Sequence, residues 1–192
     1  MNRGMFMILE QGGVDLVARL MMISARTAPK GKGVDSLVIK TVNGKDLVVL
    51  ADEMRMYGEA HDIGFFIRDS QNIADCEACV LIGSLGEGVV GIDCGGCGYA
   101  TCKEMLKAQQ KAHKRRPFKG PNCVVKMADL GIAVGSAVKT ASIHNVDNRV
   151  MYSAGVSALN LGWLEGCYVA YGIPLSATGK NLFFDRKPKE AQ

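Results

Sequence analysis

The chain has no apolar run approaching the roughly 20 residues that a membrane-spanning helix needs. Its N-terminal apolar string, residues 5–9, is too short for a secretory h-region and is stopped by Glu10. Both features predict a cytoplasmic protein with no membrane attachment. Histidine is scarce: His61, His113 and His144 are scattered, with no spacing that puts two metal ligands on one helix face. Neither a G-x-S-x-G elbow nor a Ser-His-Asp order occurs, so nucleophilic hydrolysis has no carrier. A net charge of +4 is too small to argue for nucleic acid. Gly179-Lys180 lacks the rest of a phosphate-binding loop. Gly86-Glu87-Gly88-Val89-Val90-Gly91 has G-x-G-x-x-G spacing, but it runs into Asp93-Cys94 instead of opening a helix. That excludes a dinucleotide fingerprint and leaves a flexible hinge.

Cysteine, by contrast, is plentiful, with seven in 192 residues. Cys94, Cys97, Cys102 and Cys123 stand in the frame C-x2-C-x4-C-x20-C, and the first three share one glycine-rich stretch. Three thiolates on a short loop can surround one metal centre, and a fourth can return from downstream to close it. Glycines let the backbone fold tightly there and aim N–H groups at sulfur. The frame predicts a [4Fe–4S] site. Structural zinc is the alternative, although its usual frame is two separated C-x2-C pairs. A plant-type [2Fe–2S] loop has the opposite order, and disulfides need an oxidising compartment that nothing else in the chain suggests. Cys76-Glu77-Ala78-Cys79 is a further C-x2-C pair, read as structural thiols with Cys76 the more exposed. Cys167, ahead of an expected strand, reads the same way.

Three resemblances extend this reading. Residues 92–124 resemble the small [4Fe–4S] domain of corrinoid iron–sulfur proteins, with the pattern C-G-x-C-G-x-x-x-C, a helix and a last Cys; Val124 stands where that pattern has Pro. Residues 25–33 (Ala-Arg-Thr-Ala-Pro-Lys-Gly-Lys-Gly), with Leu37-Val38-Ile39, Asp129-Leu130-Gly131-Ile132-Ala133 and residues 173–180, resemble loops and elements of nitroreductase-like flavoproteins. The chain departs from that family's arginine-rich flavin-phosphate motif, of which only Arg3 remains, and Lys30 and Gly33 replace a Ser and an Asn. Nearly the whole chain resembles an uncharacterised family of ferredoxin-domain proteins from anaerobes, through the ARTAPK loop, residues 146–152 and residues 179–186. These likenesses imply a nitroreductase-like core over residues 1–90 and 124–192 and an inserted 4Fe–4S segment over 91–123. They also imply a homodimer and an FMN held by Arg26, Thr27, Lys30, Asn148, Arg149 and Lys180.

The coarse organisation is α/β of the α+β type: a mixed sheet flanked by helices. Helices are expected over residues 14–27, 46–57, 101–115 and 148–161, and from Asp129 onward. Strands are expected over 36–42, 78–83 and 166–171, with a polar tail after Phe184. Small residues recur four apart at Gly131 and Gly135, at Ala133, Ala137 and Ala141, and at Ala154 and Ala158. Such spacing suits close helix packing, inside the chain or across a dimer. Lys103, Lys107, Lys111, His113, Lys114, Arg115, Arg116 and Lys119 read first as a solvated helix face. Beside a negative cluster they also suit an acidic electron-transfer partner. The functional expectation is iron–sulfur electron transfer, coupled to a flavin, with a redox partner protein or small-molecule electron acceptor. The alternative is a non-catalytic iron–sulfur binding or redox-sensor protein.

Overall fold

The computed structural model describes residues 3–111 and 117–184. In chain order its elements are α1 (Arg3–Thr27), β1 (Leu37–Asn43), α2 (Lys45–His61), α3 (Gly64–Asp75), β2 (Ala78–Leu85), α4 (Cys102–Gln110), α5 (Val124–Ile143), β3 (Asp147–Asn148), α6 (Tyr152–Asn160) and β4 (Cys167–Ser176). The strands form one sheet in the order β1-β2-β4-β3. Among the described residues no helix is long and apolar enough to cross a membrane.

β2 lies at the centre of the molecule because it can be buried on both faces. Ala78, Val80 and Ile82 point to one side, against Val14, Ala18, Met21 and Ala25 of α1 and Leu130, Ala133, Ala137 and Ala141 of α5. Cys79 and Leu81 point to the other, against Leu47, Leu50 and Met54 of α2, Ile73 of α3 and Ala154 and Ala158 of α6. The period of two along the strand and the i, i+3, i+4, i+7 spacing along the helices thus build three layers.

Helices flank the sheet as expected. Its pairings among the described residues, however, are all antiparallel rather than mixed. The reason lies in the connection from β1 to β2. α2 and α3 form a hairpin that returns the chain to the end it left, so Asn43 pairs with Ala78. Gly58 allows that hairpin to close, since a Cβ there would stand 2.9 Å from Phe66 Cβ.

α3 itself was not expected from sequence. Its buried positions are Phe66, Asp69, Ser70 and Ile73, so half of its inward stripe is polar and the apolar period is masked. Asp69 earns its burial through hydrogen bonds: Ser153 Oγ donates to Oδ2 at 2.7 Å and Arg68 Nε to Oδ1 at 2.9 Å. α1 extends well ahead of residue 14. α5 begins at Val124, not Asp129, and α6 at Tyr152, because Asp147–Asn148 pair with β4. The expected continuation of α4 through 112–115 and the tail from 185 lie outside the described residues.

The small residues of α6 serve internal packing. A Cβ on Gly155 would meet the Ala170 carbonyl oxygen at 2.0 Å, and one on Gly172 would meet Ala154 Cβ at 2.6 Å. On α5, Ala133, Ala137 and Ala141 are fully buried, whereas Gly131 and Gly135 face outward.

Candidate metal centre

Cys94, Cys97, Cys102 and Cys123 line one cavity, together with Val89, Val90, Asp93, Tyr99, Met105 and Val124. Three of these thiols come from the loop after β2, and the fourth returns just before α5. Among the described residues no group of three Cys, His, Asp or Glu side chains closes on a single ion-sized point. The arrangement is a lined cavity rather than a closed one-ion site.

Local chemistry explains how each cysteine is placed. Gly98 N–H donates to Gly95 O at 2.9 Å, and both glycines have positive φ, so the loop turns sharply between Cys94 and Cys102. Gly96 lets the loop lie against α5: a Cβ there would stand 2.7 Å from Val124 Cγ1 and 3.7 Å from Cys94 Sγ. Cys102 is the first residue of α4, behind the N-cap Thr101, whose hydroxyl accepts from Glu104 N–H at 3.2 Å. Asp93 Oδ1 accepts from Cys102 N–H at 2.6 Å. That bond holds the Asp93 carboxyl below the ordinary aspartate range. Cys123 is itself the N-cap of α5 and is buried. Two of the four thiols therefore sit at helix N-termini, where the positive ends of the peptide dipoles favour an anionic group.

Gln109 was not singled out from sequence. It lies seven residues after Cys102 on the inward stripe of α4, with Met105 between them. Its buried amide donates to Gly86 O at 2.5 Å, Pro121 O at 3.0 Å and Asn122 Oδ1 at 3.1 Å. It thereby ties α4 to the hinge after β2 and to the segment that delivers Cys123. A polar residue in a polar helix gives no sequence signal of this role.

The loop of residues 28–34 braces the same centre. Lys126, in the first turn of α5, donates to Val34 O at 2.7 Å and to Asp129 Oδ2 at 3.2 Å. Asp129 Oδ1 accepts from Gly31 N–H at 2.9 Å. Gly31 packs directly on the cavity wall, since a Cβ there would approach Val125 Cγ1 to 2.8 Å and Val90 Cγ2 to 3.1 Å. Lys32 Nζ donates to Gly91 O at 3.4 Å.

The other cysteines stand apart from the cavity. Cys76, expected to be the more exposed, is buried and donates to Ile73 O at 3.1 Å. Its place at the end of α3 explains this, because α3 was not anticipated. Burial pushes the Cys76 thiol up to about 12 and the Cys167 thiol up to about 11. It raises the fully buried Cys79 well above the ordinary thiol range.

The residues singled out for a flavin fall into two groups. Arg26, Thr27 and Lys30 gather at the C-terminal end of α1. Arg26 pairs with Asp35 and donates to Leu37 O at 2.8 Å. Partial burial works to raise the Asp35 carboxyl, but the bonds from Arg26 and Leu37 N–H outweigh it and hold it low. Thr27 Oγ1 donates to Ile23 O at 2.9 Å. Lys30 Nζ donates to the carbonyls of Ala25 (3.3 Å), Arg26 (2.6 Å) and Ala28 (2.8 Å), which engages all three of its protons at the helix end. Asn148, Arg149 and Lys180 gather at the opposite end of the sheet. Asn148 Nδ2 donates to Val146 O at 2.9 Å, Arg149 Nη1 to Phe183 O at 3.2 Å and Asn181 Nδ2 to Asp147 Oδ1 at 2.9 Å. Leu37 pairs with Ser84, whereas Leu175 pairs with Ala78. The two groups are thus separated within one chain by the length of β2, roughly 20 Å at about 3.3 Å per residue.

Residues 119–186 match the model of a family described as an uncharacterized protein containing a ferredoxin domain (DUF2148). Over 178 residues, 93% of this chain and 94% of the relative, the sequence is 43% identical to an uncharacterized protein of Archaeoglobus fulgidus. The chain belongs to this ferredoxin-domain family. The family match begins at the segment that delivers Cys123.

Among solved structures, a nitroreductase with bound FMN from Desulfitobacterium hafniense DCB-2 superposes with a TM-score of 0.54 over 93% of this chain and 86% of that chain, at 14% identity. A nitroreductase-like family protein from Bacillus cereus gives 0.55 over 91% of this chain and 79% of that one, at 10% identity. A BluB-like flavoprotein from Clostridium difficile 630 gives 0.50 over 93% and 85%, at 16% identity. These likenesses establish a nitroreductase-like fold and, at such identities, the fold alone.

Proposed function

We propose that the protein is an iron–sulfur electron-transfer protein whose Cys94, Cys97, Cys102 and Cys123 hold one [4Fe–4S] cluster on a nitroreductase-like core. The observation that carries this reading is that these four thiols line one cavity, with Cys102 and Cys123 at the N-termini of α4 and α5. The donor set fits the group: four soft thiols in a wall of Val, Met and Tyr side chains with Asp93 at the loop, and helix dipoles that favour net negative charge. A bound cluster would supply one-electron transfer. The chain's own residues orient the thiols, back the cavity with the buried Met105, and position the loop through Asp93 and Gln109. A reducing cytoplasm suits free thiols of this kind. The test is anaerobic purification with iron and acid-labile sulfide analysis, which should give about four of each per chain. Cys123→Ser should lower both. Zinc without sulfide would overturn the reading.

A flavin partner for the cluster is the second part of the proposal. Arg26 and Thr27, with Met22, Ile23 and Ile39, line an open groove of about 260 Å³ at one end of the sheet. Asn148, Arg149 and Lys180 stand at the other end, so one chain cannot close both groups around one FMN. A two-fold homodimer, with one end of each copy facing the opposite end of its partner, would do so. FMN titration under anaerobic conditions, paired with sedimentation, tests both points. Binding that weakens in Lys180→Ala, from a dimer, supports the arrangement; a monomer that binds no FMN rejects it.

A further inference from the structure

The centre lies at one edge of the molecule and opens on one side. Cys94 is exposed, Cys97 and Cys102 are half-buried and Cys123 is buried. The open rim is therefore the loop at the N-terminus of α4. Immediately after Cys102 the same helix carries Lys103 and Lys107, and Lys111 is its C-cap; all three are exposed. Their i, i+4, i+8 spacing sets successive ammonium groups one turn apart, about 6 Å along the axis. Cys102, Met105 and Gln109 form the inward stripe of α4, so the lysines project on the side away from the core. None of the three makes an ion pair among the described residues. Glu104, whose backbone N–H is bound by the Thr101 cap, is the single carboxylate on α4. Lys119, exposed on the return segment, lies 4.7 Å from the centre of the Tyr168 ring and adds a cation beside the same end of the sheet.

Structural needs do not account for this face. The cations that brace the fold near the centre are spent: Lys30 on helix carbonyls, and Lys126 on Asp129 and Val34. The α4 lysines make no such contacts. We propose that the Lys103–Lys107–Lys111 face of α4 is the docking surface for an acidic one-electron carrier protein, placed so that the carrier's centre approaches the open rim at Cys94 and Cys97. The inference rests on the reading of the four cysteines as a cluster site. Charge complementarity selects the carrier: a carboxylate-rich surface is attracted to the stripe, and its encounter is oriented toward the rim. In the exchange one side loses one electron and the other gains it, with no bond made or broken.

The experiment uses the full-length, anaerobically purified protein and a small acidic two-cluster ferredoxin as the probe, with a basic c-type cytochrome as the charge control. Binding is measured by calorimetry across a salt series, and electron transfer by stopped flow. The acidic probe should bind, and its affinity should fall as salt rises. The triple variant Lys103→Glu/Lys107→Glu/Lys111→Glu should lose about tenfold to a hundredfold in association rate. Single Lys→Gln variants should give graded losses, with iron content and reduction by dithionite unchanged. Salt-independent binding, or a charge-reversed protein that binds the acidic probe as wild type does, would overturn the proposal. So would lysine-dependent binding of duplex DNA or anionic vesicles in place of the carrier. The two readings fail separately. Protein without iron and sulfide rejects the cluster site and with it electron exchange at this face. Iron-loaded protein that ignores the acidic probe rejects the docking surface alone.

Discussion

Replacing Asp129 by Asn keeps the shape of the side chain and its bond to Gly31 N–H, and removes one buried charge. The side chains of Lys126 and Asp129 are only 2% and 4% exposed. Without the carboxylate, the Lys126 ammonium stays buried with Val34 O and an amide oxygen as its partners. Breaking a buried pair by removing one partner costs about 3–5 kcal/mol. Retention of the amide acceptor argues for the lower half of that range. Against a total stability of about 5–15 kcal/mol, this is a large loss. It should lower Tm by about 10 °C, at about 2–4 °C per kcal/mol for a chain of this size. Lys126→Met should cost a comparable amount, because it leaves the Asp129 carboxylate buried with Gly31 N–H alone. The double variant should recover most of the loss, since no charge is then stranded. Its remaining cost, about 1–3 kcal/mol, comes from Val34 O left without its donor. The assay is urea unfolding under anaerobic conditions, followed by fluorescence of the single tryptophan, Trp163, and by absorbance of the proposed cluster. Lys126 lies three residues after Cys123, so the two signals should be lost together. A single-variant cost below about 1 kcal/mol, or costs that simply add in the cycle, would refute the reasoning.

Two further outcomes follow from the core. Cys76, Cys79 and Cys167 should resist iodoacetamide in the native protein at neutral pH, while Cys94, Cys97 and Cys102 of metal-free protein react; labelling of Cys76 in folded protein would contradict its burial. The same shifts carry a pH dependence. Thiol values raised above the ordinary 9.0 mean that the folded state holds its protons longer, so stability should fall as pH rises above 9 toward the raised values of about 11 and about 12; a denaturation midpoint that is flat from pH 8 to 11 would contradict it. Gly155→Ala places a methyl 2.0 Å from the Ala170 carbonyl and should force α6 off β4, at a cost of about 1–3 kcal/mol by overpacking. The exposed Gly135→Ala, with nothing within 4 Å, should be neutral or stabilising, and melting curves separate the two.

The parts of this fold that sequence revealed are those where one physical signal acts alone. β2 was legible as an apolar run. The helix at residues 14–27 was legible from Val14, Val17, Ala18 and Met21, and the cavity cysteines from their frame. α3 was hidden because Asp69 and Ser70 occupy inward positions that only tertiary partners such as Ser153 justify. The start of α5 was hidden because its N-cap is Cys123, a residue type without strong capping preference, chosen here for its place at the cavity. The engagement of Arg26 by Asp35 and of Lys30 by the α1 carbonyls was not legible, because these partners are set by the turn after α1 rather than by residue type.

The partners of these residues bear on the four-cysteine cavity. Within one chain the ARTAPK loop acts as a strut. Its Lys30 closes α1, its Gly31 bonds to Asp129, and its Val34 carbonyl takes the Lys126 ammonium. Every one of these bonds ends on α1 or on the first turns of α5, and α5 begins at Cys123. The loop therefore couples the end of α1 to the position of the fourth thiol. A ligand that pulled Arg26 or Lys30 away from Asp35 would loosen the brace on Cys123. A ligand at the groove beside Arg26 and Thr27 would then act on the position of the Cys123 thiol through the buried Lys126–Asp129 pair. In a redox protein with two prosthetic groups, that linkage would let one site bias the other without any change in the sheet between them.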